Sequence, residues 1–201
     1  MKIELIVAGA SLGGFDALAA LLSALPEGFP LPLAVVQHRS VDSDDLLSVL
    51  LQRASRLPIN EVEDKQPILP GTVYIAPANY HLLVEREHFA LSVDDRVRYA
   101  RPSIDVLFES AADAYRERLA AVLLSGSNDD GARGMARVKA RGGLTIVQDP
   151  ASAESAQMPA AAIAATPIDH VLPLAGIAQL LTSLISRSED YVWQERGRLT
   201  Y

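Results

Sequence analysis

Three short runs that are almost wholly apolar constrain this chain most: Ile3 to Ala8, Leu33 to Gln37 and Leu119 to Ser125, with "LTIVQ" at Leu144 to Gln148 a further strand. A strand with one wet face alternates apolar and polar residues, so unbroken apolar runs belong to strands covered on both faces. Between these runs lie segments with helical spacing. They are Phe15 to Leu25, a stretch opened by Ser43-Asp44-Asp45 and running to about Arg56, Pro102 to about Glu117, Ala132 to Ala140, and Gly176 to Ser186. Strands alternating with helices predict an α/β fold, a doubly wound and mainly parallel sheet with helices on both faces. From Pro58 to Tyr99 the texture changes. "TVYIAP", "HLLVE" and "FALSV" are short runs parted by turn-like or charged residues, which predicts strands and a β-hairpin insertion. A last strand is expected near His170 to Leu172.

The 201 residues show no break in composition, so one domain is expected over residues 1–187, followed by a charged and aromatic tail at 188–201. Cysteine is absent, which excludes disulfides, thiolate catalysis and cysteine-ligated zinc. No apolar run approaches the roughly 20 residues of a membrane helix, and no secretory leader is evident. The expectation is a cytoplasmic protein without membrane insertion. A net charge of −7 argues against a general nucleic-acid surface. With neither H-E-x-x-H nor a closely spaced histidine pair, no metal is expected, and no cofactor.

In doubly wound sheets, sites lie beyond the carboxyl ends of the strands. The first strand ends in "VAGASLGG", Val7 to Gly14. A dinucleotide cradle needs a glycine where Ser11 stands, and an acid at the end of the second strand, which instead ends at His38. Gly9-Ala10-Ser11-Leu12-Gly13 does match G-x-S-x-G, a sharp turn that lifts a serine hydroxyl clear of the backbone ahead of a helix N-terminus. A serine here also suits a plain helix cap. A nucleophilic serine needs a base, and that base needs an orienting group. Of the four histidines, His38 alone closes a strong central strand; His81 and His88 flank the hairpin region and His170 opens a late strand. The third strand runs into "SGSNDDGARGM", where Asp129 and Asp130 supply an acid or a second helix cap. The order serine, histidine, aspartate differs from that of the α/β-hydrolases.

Taken together, these segments resemble the catalytic domain of the bacterial chemotaxis protein-glutamate methylesterases, the CheB type. The matching stretches are "GASLGG" at 9–14, "VVQHR" at 35–39, "LPGTVYIAPANYHLLV" at 69–84, "RPSIDVLF" at 101–108, "LLSGSNDDGARGM" at 123–135 and "QMP" at 157–159, in the family's order. The resemblance implies a serine esterase that hydrolyses glutamyl methyl esters on chemoreceptor cytoplasmic helices, releasing methanol, and that also deamidates receptor glutamine. It places Ser11 as nucleophile, His38 as base and Asp130 as the acid; backbone N–H groups near Leu12 and Ser127 are expected to receive the oxyanion. Arg39 and Arg101, in matched segments near strand ends, are expected to guide an acidic substrate helix. The alternative from a different class is a non-catalytic signalling module of the same fold that binds receptor helices or a methyltransferase.

Three departures from the family pattern stand out. Leu12 replaces a common threonine, and Ser127 and Asn128 replace a common methionine and glycine. The first strand also starts at Ile3, leaving no room for the phosphorylatable receiver domain that usually precedes. The expectation is a stand-alone protein or a fragment.

Overall fold

The structure, a computed structural model, describes the backbone of residues 2–39 and 46–196, and side chains up to residue 185. Seven strands form one parallel sheet in the order β3-β4-β2-β1-β7-β8-β9. They are β1 (Leu5–Ala10), β2 (Leu33–Gln37), β3 (Ile59–Glu61), β4 (Val73–Ile75), β7 (Leu119–Leu123), β8 (Leu144–Gln148) and β9 (His170–Leu172). The hairpin insertion is β5 (His81–Val84) paired antiparallel with β6 (Phe89–Ser92). The sheet is as expected, with one difference in its assembly. Within "TVYIAP", Val73–Ile75 pairs not with the hairpin but parallel to both β2 and the short edge strand β3. Three residues are too few for periodicity to tell those two settings apart.

Among the described residues six α-helices cover the sheet: α1 (Gly14–Ala24), α2 (Leu46–Ala54), α3 (Ile104–Tyr115), α4 (Ala132–Ala140), α5 (Gln157–Ala165) and α6 (Leu174–Arg196). Alternate residues of each central strand feed two separate cores, because strand side chains alternate faces. Ile6, Ala8 and Ala10 of β1 pack with α1, α2 and α6; Leu5 and Val7 pack with α3, α4, α5 and the hairpin. That division explains why β1 reads as a solid apolar run.

Two helix boundaries differ from the sequence expectation. Pro102 stands before α3 rather than in its first turn; it follows a cis peptide bond, and Ser103 is the cap. The backbone of α6 continues to Arg196, so most of the segment expected as a separate tail is helix. The helix start expected at Ser43-Asp44-Asp45 lies outside the described residues.

Candidate active site

Because β1 lies between β2 and β7, the chain leaves the sheet at three adjacent points on its carboxyl edge. Ser11 follows β1, His38 follows β2, and the turn 124–131 follows β7. Backbone hydrogen bonds lash these exits together: the His38 N–H donates to the Ala10 carbonyl (3.0 Å), the Ser11 N–H to Ser125 (2.9 Å) and the Leu124 N–H to Gly9 (2.9 Å). Close approach at this corner requires small residues. A Cβ on Gly9 would be driven into the Ile104 side chain, and Gly13, at φ 71°, sits in the left-handed region that suits glycine.

The three expected side chains meet. The Ser11 Oγ lies 3.2 Å from His38 Nδ1, and His38 Nε2 lies 2.8 Å from Asp130 Oδ2. Asp129 goes elsewhere: its carboxylate is half exposed and pairs with Arg98. The Asp130 carboxylate is fully buried, yet each of its oxygens accepts two hydrogen bonds. Oδ2 receives His38 Nε2 and the Ile104 N–H (2.7 Å); Oδ1 receives the Ser103 hydroxyl (2.9 Å) and the Asp105 N–H (3.0 Å). Burial pushes the Asp130 carboxyl upward, but the hydrogen bonds from His38 and from the backbone of Asp105 and Ile104 outweigh it, and the group titrates below the ordinary carboxylate range.

Ser11 opens into a depression of about 520 Å³ lined by Leu12, Phe15, Asp16, Gln37, His38 and Glu154. Leu12 is more than half exposed at its rim. Among the described residues, the backbone N–H groups of Leu12 and Ser127 have no hydrogen-bond acceptor. The two expected arginines are committed to the protein itself. Arg101 donates to Asn79 Oδ1 and to the carbonyls of Val93 and Asp94. Arg39, whose side chain is only 7% exposed, pairs with Glu61 and donates to the Ala76 carbonyl. Among the described residues, two of the Arg39 nitrogens, Nε and Nη1, have no hydrogen-bond partner, and both arginines line the small cavity beside His38. The exposed cation lining the small cavity beside His38 is instead Arg96, together with Tyr99.

Sequence reasoning missed a supporting layer. Ser103 and Asp105 are both fully buried against Asp130, Gln37 Nε2 holds the carbonyls of Ser11 and His38, and the Ser125 hydroxyl binds the Leu12 carbonyl (2.7 Å). His81, 2% exposed, accepts the Ser103 N–H on Nδ1 and donates from Nε2 to the Asp95 carbonyl, a structural role. The signal for Asp105 was its place in the first turn of a helix behind a Pro-Ser pair. The others are polar residues with no motif of their own. Among the described residues no group of three His, Cys, Asp or Glu side chains is placed to hold a metal, and no helix is long and apolar enough to cross a membrane.

A serine hydroxyl, an imidazole and a buried carboxylate thus stand in hydrogen-bonded line at the carboxyl edge of a doubly wound sheet, an arrangement similar to that of serine hydrolases. Comparison with known proteins narrows that class. The family described as CheB methylesterase matches residues 6–181, and the chain belongs to that family. A Leptospira interrogans protein, provisionally named protein-glutamate methylesterase/protein-glutamine glutaminase, is 46% identical over 185 residues, covering 92% of this chain and 96% of its own. A Carboxydothermus hydrogenoformans protein-glutamate methylesterase/protein-glutamine glutaminase 1 is 38% identical over 188 residues, 90% of this chain and 55% of the relative. The chain thus spans nearly all of the first relative and about half of the second. The crystal structure of the Thermotoga maritima CheB methylesterase catalytic domain superposes with a TM-score of 0.87 at 34% identity, covering 92% of this chain and all of that one.

Proposed function

We propose that this chain is a protein-glutamate methylesterase: a cytoplasmic serine esterase acting on glutamyl methyl esters of chemoreceptor cytoplasmic helices, and on receptor glutamine by deamidation. Residues 1–187 form the catalytic unit. The observation that carries the reading is the hydrogen-bonded line from Ser11 through His38 to Asp130. The Ser11 hydroxyl attacks the ester carbonyl while His38 Nδ1 takes its proton. The tetrahedral oxyanion is received by the backbone N–H groups of Leu12 and Ser127. His38 returns the proton to the departing methoxide, which leaves as methanol. Water, activated by the same nitrogen, then frees the acyl group from Ser11 as a carboxylate. With a glutamine side chain the leaving group is ammonia. Asp130 holds the ring by Nε2 and offsets the imidazolium charge that forms in each half-reaction.

The exposed Leu12 and Tyr99 flank this line and suit the apolar parts of a docking helix, and Arg96 suits its carboxylates. Arg39 and Arg101 serve the substrate indirectly, by fixing the loops that carry that rim. The test is methanol release from a methylated receptor cytoplasmic fragment, by wild type and by Ser11→Ala. Loss of a triad member lowers turnover by roughly 10⁴- to 10⁶-fold in serine hydrolases, and the same order is expected here. A Ser11→Ala variant that keeps a tenth of wild-type turnover would reject the assignment. A folded wild type that releases nothing from a validated substrate would favour the receptor-binding module.

A further inference from the structure

The base is gripped from both sides by one turn. Asn128, two residues before Asp130, accepts the Asp130 N–H on its Oδ1 (3.0 Å). That bond fixes which end of the amide is oxygen, so the NH₂ group is the end that lies 3.3 Å from His38 Nδ1. An amide NH₂ only donates, and therefore Nδ1 is the bare nitrogen of the ring. Nε2 then carries the proton that Asp130 Oδ2 accepts. We propose that Asn128 is a positioning residue: with Asp130 it holds His38 in the Nε2–H tautomer and turns the bare Nδ1 toward Ser11. A proton placed on Nδ1 would confront the Asn128 amide donor to donor. The catalytic meaning of this grip rests on the esterase reading; the tautomer itself does not.

Other charged and titratable groups also face the ring. Asp130 meets it at Nε2. Arg39, Arg96, Tyr99 and Arg101 line a cavity of about 160 Å³ against it, and Asp16 and Glu154 line the depression on the Ser11 side. All of them stay in place when residue 128 alone is changed, so the difference between variants isolates the amide.

The experiment is a nitrogen-15 titration of the imidazole groups in the full chain, from about pH 5 to 9, with His38 assigned by its loss in His38→Gln. In wild type the neutral ring is expected as the Nε2–H tautomer. Asn128→Asp keeps an oxygen for the Asp130 N–H but sets a carboxylate against Nδ1. A charge of opposite sign at such range raises a histidine midpoint by about 1 to 3 pH units, and an upward shift within that range is expected. Asn128→Gly removes the contact outright, and the expected result is a mixture of tautomers. An Nδ1–H tautomer in wild type overturns the proposal, as does an unmoved midpoint in a folded Asn128→Asp. If the aspartate variant does not fold, an unmixed Nε2–H tautomer in Asn128→Gly overturns it equally. In the esterase assay the acidic limb of kcat/KM moves up with the midpoint. An inactive wild type defeats the esterase reading and leaves the spectroscopic result standing.

Discussion

Asp130 and Asp105 face each other where α3 meets α4, both without exposed side-chain surface, and they titrate in opposite directions. Each closes the helix that the other's segment begins. Asp130, ahead of α4, accepts the first N–H groups of α3; Asp105, in the first turn of α3, accepts the Gly131 and Gly134 N–H groups at the start of α4 (2.9 and 2.8 Å). Burial is the same for both, so burial does not decide. Asp130 receives four hydrogen bonds spread over both oxygens. Asp105 receives two, both on Oδ1, while its Oδ2 has no hydrogen-bond partner and only the Arg98 and Arg133 guanidiniums at 3.7 Å. Desolvation therefore prevails at Asp105 and, with the nearby Asp130 charge, raises its carboxyl above the ordinary range. What separates a carboxylate that serves a histidine from one that serves a helix is the number of donors on its oxygens.

The largest effect expected from this contrast is on turnover. Asp130→Asn sets an amide where His38 Nε2 needs an acceptor, which in comparable sites costs about 10⁴-fold. Asp105→Asn leaves Oδ1 for the two glycine N–H groups and touches His38 only through Asp130, so its turnover should stay within about tenfold of wild type, roughly 1.4 kcal/mol. Methanol release by the two variants measures both. Comparable losses would mean that the two carboxylates act as one unit, and the contrast would fail.

A smaller effect, on stability, has opposite signs at the two positions. Asp130, held low, contributes stability that is complete above the unfolded carboxyl value of about 4 and is lost as pH falls from there toward its lowered folded value. Asp105, held high, penalises the folded state when ionised. Its penalty is relieved as pH falls through its raised folded value, and the relief is complete near about pH 4. Urea unfolding of wild type against Asp130→Asn should thus show a difference that changes below about pH 4. Against Asp105→Asn the difference should change above it, with wild type gaining on the variant as pH falls. Two differences that move in the same window, or with the same sign, would break the comparison.

Much of this arrangement was legible in the chain. The apolar runs at 3–8, 33–37 and 119–125, with the strand at 144–148, located the central strands, because burial on two faces favours apolar residues, although Gln37, Thr145 and Gln148 are buried in them too. Ser11, His38 and Asp130 were legible because each lies on the chain leaving the carboxyl end of a strand, and strand order makes such exits neighbours. Asn128 was visible only as an unusual residue in a turn. Its effect comes from an amide orientation that depends on one backbone N–H, and no spacing rule encodes that. Arg39 and Arg101 show what sequence leaves out. A cation near a strand end looks available in sequence, but Arg39 pairs with Glu61 at the end of β3 and Arg101 donates to Asn79, Val93 and Asp94. Ser103 was hidden for a related reason: Pro102 looked like a first-turn residue, which moved the cap out of view.

The smallest effect gives the finest test of the contrast between the carboxylates. Arg133 places its Nε 3.7 Å from Asp105 Oδ2 while pairing with Glu109 at 2.6 Å, and its side chain is 55% exposed. Its charge draws the Asp105 carboxyl downward without reversing the shift that burial imposes. Arg133→Ala should cost no more than about 1 kcal/mol at neutral pH, as for exposed ion pairs generally. It should also extend the Asp105 window to higher pH, since one of the two cations facing Oδ2 is gone. The Asp130 window below about pH 4 should move less, because Arg133 reaches Asp130 only through its charge, while the four hydrogen bonds from His38, Ser103, Ile104 and Asp105 remain. Unfolding of Arg133→Ala and of its double variant with Asp105→Asn, followed across that pH range, separates the two. If the single variant moves the low-pH window as far as the high-pH one, or if the double variant retains the high-pH one, the donor-count account of these two carboxylates is wrong.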